Sequence, residues 1–382
     1  MADRALCRTR HQRHAVIAVR LALTVALAGA VLTMAALAAP DAARAGTLAT
    51  GSSGVTAVTF SPDGTLLASG YSSGTIRLWN IASGRAAGPV LPAGSAVTGV
   101  AFSPDGTMLA GGYAGGTIRL WNPVSGQLAS VPLQAGSAVN GVAFSPDGSL
   151  LASADADGTV RLWSPVSGLP SGAPLQVGSA ADAVAFSPDG QLLASADADG
   201  TVRLWDVTSG RAVGPVLRAG PAGRATSVAF SPDGTLLAGG YAGGTIRLWH
   251  PASGQPGGTA LNAGKGVNGL AFSPDGKILA SADADGTVKV WNPVTGQPAG
   301  PPLRAGSAVN GVAFSPAAQL AAAGADGAVH LWNTVPGPPA RTDAGKWIIV
   351  AMAALAIALS VFAAIITTRG ILAARSLWKY CS

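Results

Sequence analysis

The sequence predicts an all-β fold made of seven copies of one four-stranded unit, with an apolar segment on either side of the repeats. The string Phe-Ser-Pro begins at Phe60, Phe102, Phe144, Phe186, Phe230, Phe272 and Phe314, at spacings of 42, 42, 42, 44, 42 and 42 residues. Each copy closes on a tryptophan: Trp79, Trp121, Trp163, Trp205, Trp249, Trp291 and Trp332. Composition agrees, since 52 Gly and 26 Pro in 382 residues mark a turn-rich chain while 48% hydrophobic residues supply ample core.

Within a unit, Val55-Thr56-Ala57-Val58-Thr59-Phe60 reads as a first strand. Ser61-Pro62-Asp63-Gly64 then turns the chain, with proline presetting φ and glycine supplying a positive φ. A short Leu-Leu-Ala-Ser type strand follows, then a tight turn before Gly-Thr. The third strand is of the type Thr159-Val160-Arg161-Leu162-Trp163, and a variable fourth strand comes after it, as in residues 88–91.

The net charge of +6 divides unevenly along the chain. Residues 1–45 carry six Arg and two Asp, and residues 341–382 carry five Lys or Arg and one Asp. Between them, ten Arg and three Lys stand against fifteen Asp, a balance of 13 − 15 = −2. A general nucleic-acid surface is therefore excluded. No Glu occurs in the chain, which removes a common catalytic and metal-binding carboxylate.

Residues 1–45 read as a signal peptide or an N-terminal membrane anchor. Arg4, Arg8, Arg10, Arg13 and Arg20 precede a charge-free run over residues 21–39, and two small-residue sites follow, Ala36-Leu37-Ala38 and Ala43-Arg44-Ala45. Residues 347–368 form a second charge-free stretch, long enough at ~1.5 Å per residue to cross a ~30 Å hydrocarbon layer as a helix. Arg369, Arg375 and Lys379 follow it, which places the basic tail, residues 369–382, in the cytoplasm and the repeats outside it. Residues 336–346 make a Pro/Gly linker. The two cysteines, Cys7 and Cys381, both lie outside the repeats, so the repeats hold no disulfide.

Strings of the type F-S-P-D-G-x-x-L-A-S and D-G-T-V-R-L-W, with variants, in seven repeats in register over residues 46–335, resemble the WD-repeat family of β-propellers. The resemblance implies a seven-bladed β-propeller around a central channel, with the seven tryptophans as structural residues. The last repeat lacks a fourth strand, because Val335-Pro336-Gly337-Pro338-Pro339 is too proline-rich to pair. Gly46-Thr47-Leu48-Ala49 is expected to supply it and latch the ring.

The chain departs from the family pattern in ways that bear on its sites. The family's Gly-His pair reads Gly94-Ser95, Gly136-Ser137 and Gly178-Ser179, so the His-mediated network is expected to be lost. Two repeat types emerge. Blades 3, 4 and 6 carry Ser-Ala-Asp-Ala-Asp-Gly, whereas Tyr71, Tyr113 and Tyr241 stand at the position of Asp155 in blades 1, 2 and 5.

The resemblance puts partner binding on the rim formed by the second turns and the loops leading into the first strands. One short polar residue per blade is expected there: Thr56, Thr98, Asn140, Asp182, Thr226, Asn268 and Asn310. These either line a hydrated channel mouth or cap strand ends. Asp155, Asp157, Asp182, Asp197 and Asp199 are expected to form an acidic arc on blades 3 and 4 suited to a basic peptide. Calcium is disfavoured, since Asp-x-Asp-Gly lacks the further oxygen ligands and closing Glu of a calcium loop. Two added residues around Gly220-Pro221-Ala222-Gly223-Arg224 make the rim asymmetric at blade 5.

His250 and His330 stand in different repeats, with no Glu and no Cys beside them, so no catalytic residue, metal or cofactor is expected. The sequence thus reads as a non-enzymatic, membrane-tethered scaffold that binds a protein or peptide partner and no nucleic acid. The alternative is an extracytoplasmic ligand- or carbohydrate-binding receptor module that uses the tyrosines as stacking platforms.

Overall fold

The first strands of successive repeats, among them Val55–Phe60, Val97–Phe102 and Val139–Phe144, lie side by side and ring a central channel. The computed structural model describes residues 44–48, 53–92, 94–220 and 223–333. The expected N-terminal segment up to residue 43, the linker, the second apolar segment and the basic tail lie outside the described residues. Among the described residues no helix is long and apolar enough to cross a membrane.

Each blade is a separate antiparallel sheet, and in blades 1 to 6 the strands run in chain order from the channel outward. Blade 1 comprises Val55–Phe60, Leu66–Tyr71 and Thr75–Asn80, with a fourth strand in two pieces, Arg85–Ala86 and Leu91–Pro92. In blades 2, 3, 5 and 6 the fourth strand shrinks to Leu133–Gln134, Leu175–Gln176, Leu261–Asn262 and Leu303–Arg304. Prolines stand just ahead of three of these, at Pro132, Pro174 and Pro302, and have no N–H to give a ladder. Blade 4 alone among the described blades keeps a long outer strand, Arg211–Arg218.

Seven apolar clusters hold the ring together, one between each pair of neighbouring blades. Trp121 of blade 2, for example, packs with Ala68, Ile76, Leu78 and Leu91 of blade 1. Second strands such as Leu109–Tyr113 are buried at every position. Both faces of each blade are covered by neighbours, which is why the strands are nearly continuous in apolar and small residues.

The first turn repeats the same bonds from blade to blade. Ser61 Oγ donates to Asp63 Oδ1 at 2.5 Å, the Leu66 N–H donates to Ser61 Oγ at 2.9 Å, and Gly64 takes φ 71°. In blade 7 the string is Ser315-Pro316-Ala317-Ala318, and Ala318 adopts φ 59° where the other blades have glycine.

Blade 7 is completed by the beginning of the chain. The strand Arg44–Leu48 runs antiparallel to Val329–Asn333, with Arg44 opposite Trp332 and Leu48 opposite Val329. Leu48 is buried among Val55, Phe60, Trp79, Val329 and Leu331, a contribution of about 1.5–3 kcal/mol for one leucine side chain. The strand starts at Arg44, two residues before the expected Gly46, so it reaches into the 1–45 segment. Because third strands end where the first turns lie, Arg44 and Asn333 both sit on the first-turn face of the ring. The second turns and the loops into the first strands occupy the opposite face.

Candidate functional site: the rim and the inter-blade joints

All seven polar residues expected at the channel mouth occupy one structural position. In each blade the pairing of first and second strands slips by one residue, between Val55 and Ala57, Val97 and Gly99, Val139 and Gly141, and so on round the ring. The residue passed over is Thr56, Thr98, Asn140, Asp182, Thr226, Asn268 or Asn310. A bulge frees a side chain from the strand's alternation and re-aims it.

Most of these side chains use that freedom to reach the next blade. Thr98 Oγ1 donates to Val139 O at 2.5 Å, Asn140 Nδ2 to Ala181 O at 2.8 Å, and Asn268 Nδ2 to Val309 O at 2.8 Å. Thr226 Oγ1 donates to Val267 O, and Asn310 Nδ2 closes the circle onto Val55 O at 2.7 Å. Thr56 Oγ1 donates within its own blade, to Gly70 O at 3.0 Å. The mouth residues are therefore half-buried stitches between blades. The three threonines also cap a strand of their own blade, Thr56 on Gly70 O, Thr98 on Gly112 O and Thr226 on Gly240 O, so local capping and inter-blade bonding together engage these side chains within the ring.

Asp182 makes the joint of blades 4 and 5 ionic. Arg224, from the two-residue insertion, donates from Nε and Nη2 to both oxygens of the Asp182 carboxylate. The guanidinium stays about half exposed, at 53%, while the Asp182 side chain is 7% exposed.

The acidic arc is not a free acidic surface. Asp155 and Asp197 are fully buried, and each meets a cation on the neighbouring third strand: Arg161 Nη1 donates to Asp155 Oδ2 at 2.6 Å, and Arg203 Nη1 to Asp197 Oδ2. The same guanidinium groups extend to Asp157 at 2.8 Å and Asp199 at 3.2 Å. With Arg224 on Asp182, every member of the expected arc has a cationic partner. Blade 6 repeats the plan with Lys289 between Asp283 and Asp285, at 2.7 and 3.3 Å. Burial outweighs these cations and pushes the Asp155, Asp197 and Asp283 carboxyls up to about 6. Asp157 moves the other way, held below the usual range mainly by its hydrogen bond from Arg161.

Stacking platforms are likewise ruled out, because Tyr71, Tyr113 and Tyr241 are no more than 1% exposed. Their rings fill the space that the buried aspartate and its neighbours occupy in the other blades. Arg77 and Arg119 lie 5.8 and 5.9 Å from the Tyr71 and Tyr113 ring centroids, so a cation–π contact takes the place of the ion pair. Burial raises the Tyr113 and Tyr241 hydroxyl pKa values.

In place of the absent His-mediated network the blades carry one built on serine. Ser137 and Ser179, which replace the histidine, accept the Asp157 and Asp199 N–H groups at 3.2 Å. Trp163 Nε1 donates to Ser153 Oγ at 3.1 Å, and Ser153 Oγ donates to Asp155. Arg161 thus completes a Trp–Ser–Asp–Arg–Asp chain without histidine. The signal for it was present in the sequence, as a cation six residues after each buried Asp.

Blade 7 combines Gly324, Asp326 and His330. His330 lies 3.8 Å from Asp326 and stacks on Trp332 at 5.7 Å. His250, in blade 5, contacts Thr235 O at 3.1 Å. Among the described residues no group of three metal-ligating side chains occurs. An open depression of about 630 Å³ between blades 3 and 4 is lined by turn residues including Ser145, Asp147, Ser171 and Asp189. Its aspartates are engaged by their own turn serines, Ser145 on Asp147 and Ser187 on Asp189 at 2.6 Å.

The sheet topology and these repeat contacts agree with the comparison to known families. A profile described as WD domain, G-beta repeat matches residues 45–80, and one described as IFT122 first beta-propeller matches residues 96–353, more than half of the chain. The chain belongs to this family of WD-repeat propellers. No curated protein matches it. WD-repeat propellers typically bind protein partners and generally work as non-enzymatic scaffolds. In this one the channel mouth is committed to holding the ring together, and the accessible rim consists of the second turns and their flanking loops.

Proposed function

We propose that the chain is a non-enzymatic, membrane-tethered scaffold whose WD-repeat propeller stands outside the cytoplasm and binds a protein or peptide through its rim. One observation carries this reading. Arg44 and Asn333 lie together at the face of the ring opposite the rim, so the described ring begins and ends on the side away from the binding surface. A ring tethered from that side leaves its rim open. Sequence supports the tether: residues 347–368 are charge-free and are followed by Arg369, Arg375 and Lys379, the pattern of a span with a cytoplasmic tail.

The accessible rim has its own chemical contrast. Asp157, Asp199 and Asp285 remain about one third exposed despite their cationic partners. Arg224 and Lys265 stand exposed between them on the loops leading into blades 5 and 6. A partner that reads this rim meets acid on blades 3 and 4, base on the loops into blades 5 and 6, and acid again on blade 6, on a background of Ser, Ala and Gly.

Protease added to intact cells, with a tag at each end of the chain, tests the arrangement. Cleavage of the propeller with protection of the C-terminal tag is expected, and a fully protected propeller overturns extracytoplasmic display. A photo-crosslinker at position 199 or 224 is expected to capture a protein that one at position 208, on the opposite face, does not. Equal capture at both faces overturns rim binding.

A further inference from the structure

Around blade 5 the charge balance of the slightly acidic ring is reversed. Residues 207–274 hold Arg211, Arg218, Arg224, Arg247 and Lys265 against one aspartate, Asp233. Asp233 sits on the first-turn face, engaged by its turn serine Ser231 at 2.6 Å, and Arg211 lies toward the same face, opposite Asp206. The rim of this segment therefore carries four cations and no acid.

The counter-ions that other blades supply from within are missing here. In blade 3, Arg161 of the third strand is held between Asp155 and Asp157, whereas blade 5 keeps the cation as Arg247 but has Tyr241 and Gly243 at the two acidic positions. A second cation then joins the first. In blade 2 the equivalent Arg119 reaches with Nη1 to Pro92 O at 2.9 Å, and Pro92 is the residue of the preceding blade opposite Thr75. Ahead of blade 5 that place is taken by Arg218, opposite Thr201. The Tyr241 hydroxyl registers both guanidinium groups: burial raises its pKa, and the charges of Arg247 and Arg218 oppose the rise. Among the described residues no carboxylate pairs with Arg218, Arg247 or Lys265, and the buried Arg247 Nε has no hydrogen-bond partner. Arg224 uses only Nε and Nη2 on Asp182. The flanking acids are already taken, Asp199 by Arg203 and Asp285 by Lys289.

We propose that the rim of blade 5 takes an acidic segment of the protein partner, whose carboxylates seat on Arg218, Arg247 and Arg224, with Lys265 at the edge. This rests on the reading of the rim as the binding surface and adds the chemistry of what binds there. The ring itself displays the fit: Asp157 Oδ2 meets Arg161 Nη2 at 2.8 Å from the position at which blade 5 has Gly243. A carboxylate brought by a partner meets the same guanidinium fork in blade 5. It also offsets the repulsion between two like charges that the ring leaves without a counter-ion. The same field turns basic segments away, so the patch selects as well as binds.

Fluorescence anisotropy of the full chain in detergent tests this with two labelled peptides, a Glu-Gly repeat and the same repeat with Gln in place of Glu. The Glu peptide is expected to bind, and the Gln peptide to bind about tenfold more weakly or less. Arg218→Gln and Arg247→Gln are each expected to weaken the Glu peptide by about fivefold or more, while Arg119→Gln leaves it unchanged. Gly243→Asp supplies the carboxylate from within, as Asp157 does, and is expected to weaken the Glu peptide by about fivefold or more without lowering the unfolding midpoint. The positive φ of that turn, 83°, belongs to Gly244, so position 243 accepts a side chain. Arg218 is exposed, and its variant reads binding free of any folding defect in the others. The proposal is overturned by no binding of the Glu peptide, by equal binding of the two peptides, by Glu-peptide binding that Arg218→Gln and Arg247→Gln leave intact, or by tighter binding of a single-stranded oligonucleotide. The crosslinker at position 224 reads the rim separately: a protein captured there without Glu-peptide binding keeps the rim as the binding surface and refutes the acidic partner.

Discussion

Arg224 forks onto Asp182 across a separation of 42 residues and so joins blades 4 and 5 through charge, where the neighbouring joints use a side chain on a backbone carbonyl. The two residues explain each other: the insertion brings the arginine, and the aspartate is the bulge residue that receives it. Arg224→Ala is expected to destabilise the ring by about 1 kcal/mol, a modest figure because the guanidinium is half exposed. Combining it with Asp182→Asn recreates the joint made by Asn140, and the double variant is expected within about 0.5 kcal/mol of wild type. Urea unfolding of the two variants checks this, and a double variant weaker than Arg224→Ala refutes the joint.

The aspartate and tyrosine blades are two solutions to one packing problem. Asp155→Ala leaves Arg161 with half its ion pairs and empties a buried position, and a loss of about 3 kcal/mol is expected. Asp155→Tyr sets a ring beneath Arg161 in the manner of Tyr71 and Arg77, with an expected loss below about 1 kcal/mol. If the tyrosine variant is as damaged as the alanine variant, the two blade types are not interchangeable.

Acidity should first strengthen and then weaken the ring. Asp155, Asp197 and Asp283 have folded-state pKa values of about 6, above the ordinary value of 3.8. Their contribution is therefore fully present below 3.8 and is lost as pH rises through about 6. The first-turn aspartates are shifted the opposite way, chiefly by hydrogen bonds from their turn serines, with Asp147 at about 2. Their contribution holds above 3.8 and is lost as pH falls through their lowered folded values. Tm is thus expected to rise from about pH 7.5 to about pH 5 and to fall below about pH 3.5. Replacing the three buried aspartates by Asn should flatten the rise, and a wild-type Tm that drops between pH 7.5 and 5 contradicts the assignment.

Two backbone tests address blade 7. Ala318→Gly relieves a positive φ at a turn that carries glycine in the other blades, and a gain of about 1 kcal/mol is expected from the unfolding midpoint. Deleting residues 44–48 removes Leu48 from its cluster and unpairs Val329–Asn333, and a loss of roughly 3–6 kcal/mol is expected. An unchanged midpoint means that the ring closes without this strand.

Much of the fold was legible because the repeats carry their own ruler. The spacing of Phe-Ser-Pro and Trp located every blade, and proline after Trp332 together with the match at Gly46 pointed to the closing strand. The candidate site was less legible. That Thr98 or Asn140 is polar is plain in the sequence, but only the one-residue slip between first and second strands turns these side chains toward the next blade. Tyr71 was misjudged as a surface platform, since a tyrosine beside a turn looks alike whether its ring points outward or under an arginine. The arc of aspartates misled for a related reason: Arg161 is six residues from Asp155 in sequence, and the antiparallel turn between them is what brings their charges together.

The closing strand also makes the order of arrival matter. Arg44–Leu48 leaves the ribosome before any of its partners, and Val329–Asn333 is the last described strand to follow. Until then a growing chain carries an unmatched edge at each end of an open crescent, and no earlier blade can stand in for the missing one without skipping a repeat. Completion of the circle is therefore a single late event, and a chain cut short at any repeat remains recognisable by its gap.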